Sequence, residues 1–154
     1  MSGFIERGGV WVGVQFAWFA AIVLVGRFDL LTLSFPGRRG VSWLLIGAAV
    51  ILGVAASWSL GRNLTPYPKP VAAGTMIEHG PYRLVRHPIY TAVIIGMIGI
   101  AVRGGDWLGL IMAVALVPFF YAKSTFEERH LVAQYPGYAD YQQRVPYRLV
   151  PAVL

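Results

Sequence analysis

Residues 40–61 read GVSWLLIGAAVILGVAASWSLG, a run of 22 residues without a charged side chain, with Arg39 and Arg62 at its two ends. At about 1.5 Å per residue, a helix of about 20 residues crosses the roughly 30 Å of hydrocarbon in a bilayer. Trp43 and Trp58 lie towards the two ends of the run, where tryptophan commonly anchors a helix at the membrane interface. This stretch therefore predicts a transmembrane helix.

Three further apolar runs follow the same pattern. Residues 8–26 form a run of 19 residues bracketed by arginines, and no signal-peptide cleavage pattern follows it, so we expect a retained helix. Residues 88–102 and 107–122 are shorter, and only RGGD at 103–106 separates them, which suits a tight helical hairpin turn. We predict about four transmembrane helices in an all-α bundle, the fourth kinked at Pro118.

The composition of the chain favours lipid over water as its surroundings. Hydrophobic residues make up 56% of the 154 residues and charged residues 13%, about half the share usual in soluble domains. A single domain of this size has too little interior to bury so much apolar surface. The chain has no cysteine, which excludes disulfides, thiolate catalysis and cysteine-ligated metals.

The positive charges predict an orientation. Four crossings would put the N-terminus, loop 62–87 and the C-terminal tail on one side, with nine Lys and Arg residues against four on the other. The more basic side normally faces the cytoplasm, so we expect both termini and the polar residues there. These bases, which give a net charge of +6, would face the anionic head groups of membrane lipids, so we expect no nucleic-acid partner.

Polar residues concentrate in residues 62–87, RNLTPYPKPVAAGTMIEHGPYRLVRH. Four prolines exclude a regular helix over much of this stretch, and the interleaved apolar residues predict an ordered cap over the helix ends. Pro88 then begins the third helix, whose free N–H groups and positive dipole favour an anionic or electron-rich ligand beside Arg86, His87 and Tyr90. Contact of Arg86 and His87 with lipid phosphates is the alternative.

Residues 123–130, KSTFEERH, place two adjacent acids, Glu127 and Glu128, at the expected membrane boundary. Carboxylates there are costly unless they are paired or solvated. In a helix the two side chains point about 100° apart, so one can meet a ligand while the other pairs with Arg83 or Arg86. A solvated helix end, with both acids near neighbouring bases, is the alternative.

The tail at 135–146, YPGYADYQQRVP, predicts a short interfacial helix, because Tyr138 and Tyr141 are one helical turn apart. An aromatic stripe of this kind is more often packing than chemistry. The three histidines lack the spacing of a metal site, so we expect no metal. Walker A, G-x-S-x-G and G-x-G-x-x-G patterns are also missing from the sequence.

Three segments in this order, HGPYRLVRHPIY at 79–90, EERHL at 127–131 and the tail at 135–146, resemble the isoprenylcysteine carboxyl methyltransferase family. Phospholipid N-methyltransferases of the same membrane superfamily look similar, and the resemblance covers roughly residues 64–151. It implies S-adenosylmethionine bound at the cytoplasmic membrane boundary under a loop cap. A lipophilic small-molecule or lipid-anchored acceptor would arrive from the bilayer. Residues 1–61 would form two N-terminal transmembrane helices, and residues 62–154 would form the cofactor-binding methyltransferase core.

The resemblance also implies site residues. Those carried over by position to the cofactor are Gly74, Thr75, Met76, Ile77, Tyr82, Arg86, His87, Pro88, Ile89, Tyr90, Glu127 and Glu128. Lys123 stands where the family has a basic residue near the reacting group of the substrate. Ala92 takes the place of the glycine in the family's R-H-P-x-Y-x-G.

Two other functions stay open at this point. An NADPH-dependent, sterol-reductase-like membrane enzyme would share the R-H-P-x-Y motif, but such reductases are usually longer with more crossings, and the Glu127-Glu128 pair favours methyl transfer. A catalytically inactive membrane adaptor would not need all the motif residues that the chain retains. We therefore expect an integral membrane methyltransferase that uses S-adenosylmethionine.

Overall fold

The computed structural model describes residue 3 and residues 7–28, 30–71 and 74–151. Within these ranges the regular structure is helical, and the β-type pairing is an isolated bridge between Thr32 and Asp106. The helices are α1 (Gly9–Val25), α2 (Arg38–Leu60), α3 (Pro88–Gly104), α4 (Trp107–Val114), α5 (Leu116–Gln134) and α6 (Tyr138–Arg144). Two 3-10 turns, Gly61–Asn63 and Gly80–Arg83, lie between α2 and α3.

A helix is present at each of the four predicted segments, but the fourth continues well beyond residue 122, to Gln134. Helix α2 begins two residues before the apolar run, at Arg38. Helix α3 continues through Arg103 to Gly104, so the hairpin turn is shorter than predicted and consists of Gly105 and Asp106. Gly105 has φ 79°, a left-handed conformation that favours glycine and ends α3.

The predicted kink near Pro118 takes the form of a break between two helices. Helix α4 ends at Val114 and α5 begins at Leu116, with Ala115 between them. Proline has no N–H group, and its ring crowds the carbonyl group four residues earlier, which here belongs to Val114. The break therefore comes three residues before the proline that causes it.

Two helical stretches, residues 38–63 and 107–134, are long and apolar enough to cross a membrane. Helices α1 and α3 are also apolar but have 17 residues each, which is short for a full crossing. Much of α2 is uncovered by protein, since Leu44 and Trp58 are 74% and 86% exposed. An apolar helix surface of this kind suits contact with lipid.

Helices α2 and α3 pack along one another through small residues. The facing pairs are Gly53 with Ala92, Ala49 with Gly96, and Ile46 with Gly99. A β-carbon at Gly99 would lie 2.9 Å from Ile46 Cγ1 and 3.2 Å from Ile46 N, so the helices approach closely there. Ala92, which replaces a family glycine, is accommodated because it faces Gly53. Close packing of this kind holds helices together where lipid removes the hydrophobic drive between them.

The hairpin end of the bundle is held by Asp106, whose side chain is fully buried. Its carboxylate accepts hydrogen bonds from the backbone N–H of Leu31 (2.7 Å) and from two N–H groups in the first turn of α4. These bonds, that of Leu31 foremost, lower the pKa of the Asp106 carboxyl below its ordinary value. Arg38 donates to two carbonyl oxygens at the end of α3. These bonds fix the C-terminal end of α3, and loop 62–87 adjoins its N-terminal end.

We predict that Gly99→Ala destabilises the protein by about 1–3 kcal/mol, because the added methyl group overpacks the contact with Ile46. The matched control is Gly47→Ala on α2, where a β-carbon meets nothing within 4 Å. That variant should be neutral or more stable by about 0.5–1 kcal/mol, since alanine is the better helix former. Unfolding of the detergent-solubilised protein measures both. Equal effects of the two substitutions would contradict the close α2–α3 contact.

Candidate functional site

A pocket with a volume of about 410 Å³ lies between loop 62–87 and helices α1, α3, α5 and α6. This volume is in the range of small-molecule and cofactor sites. Its aromatic lining consists of Tyr67, Tyr82, Tyr90, Tyr135, Tyr138 and Tyr141. Its polar lining includes Gln15, Asn63, Thr65, Thr75, Arg86, His87, Lys123 and Glu127. The pocket is thus a mostly aromatic and apolar space with a few converging charged groups.

Tyr90, in the first turn of α3, divides the charged groups of the pocket. Its ring stacks on His87, with the ring centroids 5.3 Å apart and the planes 6° from parallel. Its hydroxyl donates a hydrogen bond to the carboxylate of Glu127 on α5. The ammonium Nζ of Lys123, one turn earlier on α5, lies 5.0 Å from the centroid of the Tyr90 ring. The pocket therefore has an acidic end at Glu127 and a basic end at Lys123.

Helix α1 contributes to the basic end. Lys123 is 2% exposed, and its Nζ donates a hydrogen bond to Oε1 of Gln15 at 2.7 Å. The ring of Phe120 lies 5.7 Å from the same ammonium group. The buried cation therefore has a neutral amide and two aromatic faces around it, which is an unusual environment for lysine.

Glu128 lies behind the wall of the pocket and is 3% exposed. Its carboxylate oxygens lie 2.7 Å from Arg86 Nε, 3.1 Å from His87 Nε2, 3.0 Å from Gln142 Nε2 and 3.2 Å from Arg148 Nη2. Several donors on both oxygens offset the cost of burying the charge. The alternative of two solvated acids is therefore wrong. Glu128 pairs with Arg86, while Glu127 faces the pocket.

Arg86 also fixes the C-terminal segment, residues 145–149, against the start of α3. Its Nη1 donates to the carbonyl oxygens of residues 145 and 146 at 2.6 and 2.8 Å. The backbone N–H groups of Arg86 and His87 donate to the carbonyl oxygens of residues 147 and 148. Arg86 is 7% exposed, so these are interior bonds and not contacts with lipid phosphate.

Residues 62–71 and 74–87, the described parts of loop 62–87, form the cap that the composition of the loop predicts. The side chain of Asn63 bonds to both backbone groups of Thr75, donating from Nδ2 at 2.6 Å and accepting at Oδ1 at 3.2 Å. A β-carbon at Gly74 would lie 2.6 Å from the hydroxyl oxygen of Tyr135 and 3.0 Å from the carbonyl oxygen of Val71, so a larger residue there would displace its neighbours. These contacts hold the loop over the mouth of the pocket.

Tyr135, Tyr138 and Tyr141 of the tail line the pocket. The sequence predicted packing for this aromatic stripe, and the structure adds contact with the pocket. Burial, together with nearby carboxylates, raises the pKa of Tyr82 and of Tyr138 well above the ordinary value. The pKa of Tyr141 is raised as well, chiefly by burial, and its hydroxyl donates to the carbonyl oxygen of Tyr82 at 2.7 Å. All three hydroxyls therefore stay protonated at neutral pH.

The structure brings most of the predicted site residues together. Those that line the pocket are Thr75, Met76, Ile77, Tyr82, Arg86, His87, Ile89, Tyr90, Lys123 and Glu127. Gly74, Pro88 and Glu128 do not line it. Gly74 packs under the cap, Pro88 begins α3, and Glu128 holds the scaffold.

Gln15 lines the pocket but was not among the site residues predicted from the sequence. The same is true of Asn63, Thr65 and Tyr67. A signal for Gln15 was present, because it is the one side chain with an amide, hydroxyl or charge in residues 8–26. A lone polar side chain in an apolar membrane helix commonly marks a functional position. The three loop residues follow no pattern that would have distinguished them.

We predict that Arg86→Met lowers the free energy of unfolding by about 3–5 kcal/mol, because it leaves the Glu128 carboxylate buried with fewer donors. The matched control is Arg144→Met, which breaks the ion pair with Glu78 on the protein surface. That loss should be no more than about 1 kcal/mol, since exposed pairs contribute little. The measurement is unfolding in detergent under identical conditions. Similar losses in both variants would argue against Glu128 as a scaffold residue.

Comparison with known proteins places this geometry in a family. Residues 38–137 match the family model described as phospholipid methyltransferase. The cobalt-zinc-cadmium resistance protein CzcN of Cupriavidus metallidurans is 32% identical over 150 residues, covering 92% of this chain and 62% of that protein. Protein-S-isoprenylcysteine O-methyltransferase B of Arabidopsis thaliana is 29% identical over 137 residues, covering 82% and 70%. The nickel-cobalt-cadmium resistance protein NccN of Alcaligenes xylosoxydans xylosoxydans is 31% identical over 147 residues, covering 92% and 63%.

The chain thus spans less than two thirds of the length of the two resistance proteins that it matches. The segment matched by the family model includes the start of α3, with His87 and Tyr90, and the two acids of α5. The motif resemblance and the family match therefore agree. The chain belongs to the phospholipid methyltransferase family, whose relatives include isoprenylcysteine O-methyltransferases.

Proposed function

We propose that this protein is an integral membrane methyltransferase that uses S-adenosylmethionine to methylate a lipophilic acceptor. The observation that carries the proposal is the pocket with an acidic end at Glu127 and a basic end at Lys123, separated by the ring of Tyr90. Membership of a methyltransferase family supports the reaction class. The acidic end suits a cationic methyl donor, and the basic end suits the head group of the acceptor.

The residues of the pocket fit S-adenosylmethionine, which when bound would supply a methyl group on a positively charged sulfur. Tyr82 offers an aromatic face to a cation, whereas the ring of Tyr90 already stacks on His87 and faces Lys123. Glu127 offers a carboxylate that can accept hydrogen bonds from ribose hydroxyls or from an amino group. Thr75, Met76 and Ile77 of the cap supply further lining.

The chain itself mainly aligns the reactants and excludes water. Transfer of a methyl group from a sulfonium is an in-line displacement, so positioning accounts for much of the rate. Loop 62–87 covers the pocket, and segment 145–149 fixes the start of α3 beside it. A carboxylate acceptor needs no base, whereas an amine has to arrive deprotonated or lose a proton afterwards. No base is assigned among the residues of the pocket.

The family and its relatives support a lipid-like acceptor. The family is named for phospholipids, and two Arabidopsis relatives are named for the O-methylation of isoprenylcysteine. We propose an isoprenylcysteine-like carboxylate or another lipid as acceptor. The exposed apolar surfaces of the helices support its arrival from the bilayer.

The proposed enzyme is a single membrane domain in residues 1–154 with four crossings. Residues 1–61 carry two transmembrane helices, and residues 62–154 form the methyltransferase core. Helix α2 and the α4–α5 stretch have the required length. Helices α1 and α3 are shorter, and the loops and turns that flank them complete their crossings. The excess of Lys and Arg beside loop 62–87 and the tail supports cytoplasmic termini and a cytoplasmic pocket.

Calorimetric titration of the detergent-purified protein tests the cofactor. We predict that S-adenosylmethionine and S-adenosylhomocysteine both bind, and that Glu127→Gln weakens this binding by at least about tenfold, because hydrogen bonds to a charged acceptor are lost. The matched control is Glu78→Gln in the cap, outside the pocket lining, which should leave the affinity unchanged. NADPH is titrated in parallel.

The other outcomes distinguish the alternatives. If NADPH bound and neither S-adenosyl compound did, the result would contradict the methyltransferase proposal and favour a reductase. A folded sample that binds none of the three would favour an inactive adaptor. An unchanged affinity in Glu127→Gln would remove Glu127 from the cofactor site while leaving the proposed activity in place.

Single-cysteine labelling tests the orientation, because the natural chain contains no cysteine. We predict that a membrane-impermeant maleimide labels His79→Cys only from the cytoplasmic face and Ser34→Cys only from the opposite face. Both positions are exposed, and neither change alters the number of Lys and Arg residues. Sealed membrane vesicles of known sidedness provide the measurement. Labelling of both positions from the same face would contradict four crossings.

A further inference from the structure

Gln15 lies on α1, outside residues 38–137 that match the family model. We propose that Gln15 is a positioning residue that holds the Lys123 ammonium in the pocket wall and so makes the site prefer an acceptor with an anionic head group. The inference rests on the proposed function and deepens it, since it concerns which head group is accepted.

The first step is the state of the Lys123 side chain. Its ammonium is almost fully buried, and its hydrogen-bond partner is the amide oxygen of Gln15 at 2.7 Å. An ammonium group only donates hydrogen bonds, so the oxygen end of the amide has to face it. Among the described residues, no carboxylate lies within 4.0 Å of Nζ. The nearby acid, Glu127, instead accepts a hydrogen bond from the hydroxyl of Tyr90.

The second step concerns charge. Burying an ammonium group is costly unless an opposite charge compensates it. Glu127, one turn along α5, attracts the Lys123 ammonium from a distance, but the groups in contact with that ammonium are a neutral amide and aromatic faces. Both Lys123 and Gln15 line the pocket, so a bound molecule can reach them. An anionic group next to Lys123 would supply the missing charge, whereas a protonated amine would be repelled. The geometry therefore favours a carboxylate head group over an amine.

The third step is the choice of glutamine. Its amide oxygen holds Nζ in place without neutralising it, so the positive charge remains available to a ligand. A carboxylate at the same position would pair with Lys123 and occupy the cation. The substitution Gln15→Glu therefore changes the charge of the wall with little change in side-chain size.

The experiment measures the binding of two probes to the protein loaded with S-adenosylhomocysteine. One probe is N-acetyl-S-farnesylcysteine, which has a carboxylate, and the other is its carboxamide, which is neutral and nearly the same in shape. We expect the wild-type protein to bind the carboxylate at least about tenfold more tightly. Gln15→Glu should abolish this preference by weakening the carboxylate alone, and Gln15→Leu should reduce it. The control is Val14→Leu, at an exposed position outside the pocket lining, which should keep the preference.

The ratio of the two affinities separates positioning from packing. If Gln15→Glu weakened both probes equally, Gln15 would have a structural role and the proposal would be overturned. Equal binding of both probes by the wild-type protein would also overturn it. Binding of S-adenosylhomocysteine is measured in every variant. Its failure in the wild-type protein would contradict the proposed function, and its presence together with a lost preference would contradict only the role of Gln15.

Discussion

The ion pair between Glu128 and Arg86 is the contact on which the arrangement of the site depends. Glu128 lies on α5, Arg86 and His87 precede α3, and the remaining partners of the same carboxylate come from α6 and from the C-terminal segment. One buried charge thus joins four parts of the chain that are distant in sequence. Since such a charge is costly unless its oxygens are bonded, the structure is stable only when all four parts come together.

The position of Glu127 follows from this pair. Adjacent residues on a helix point about 100° apart, so fixing Glu128 behind the wall turns Glu127 towards the pocket. Tyr90 is also held in place, because α3 packs against α2 through small residues, and Arg38 donates a hydrogen bond to the carbonyl oxygen of Val102 at the far end of α3. The packed helices on both sides therefore position the hydroxyl and ring of Tyr90 and the carboxylate of Glu127. These groups face the pocket, while other residues hold the helices together.

Much of this arrangement was predictable from local pattern. Charge-free runs located the helices. The motifs that resemble the methyltransferase family located the part of the pocket lining formed by residues 75–77, 82, 86, 87, 89, 90, 123 and 127. Pro118 predicted that the fourth helix would be disturbed. It did not predict that the disturbance would be a break at Ala115. The partnership of Gln15 with Lys123 was not predictable, because helical periodicity does not tell which face of α1 packs against which turn of α5. That information exists only in the tertiary packing of apolar helices, where many registers have similar composition.

The two ends of the pocket also differ in their origin. Glu127, Tyr90 and the cap belong to the segment that matches the family model, whereas the partner of Lys123 comes from α1, which precedes that segment. A side chain on α1 can therefore alter the surroundings of Lys123 while the acidic end stays the same. Relatives named for isoprenylcysteine and a family named for phospholipids are consistent with this division, since their acceptors differ while their methyl transfer is shared. Acceptor choice would then depend on which side chain α1 places beside residue 123.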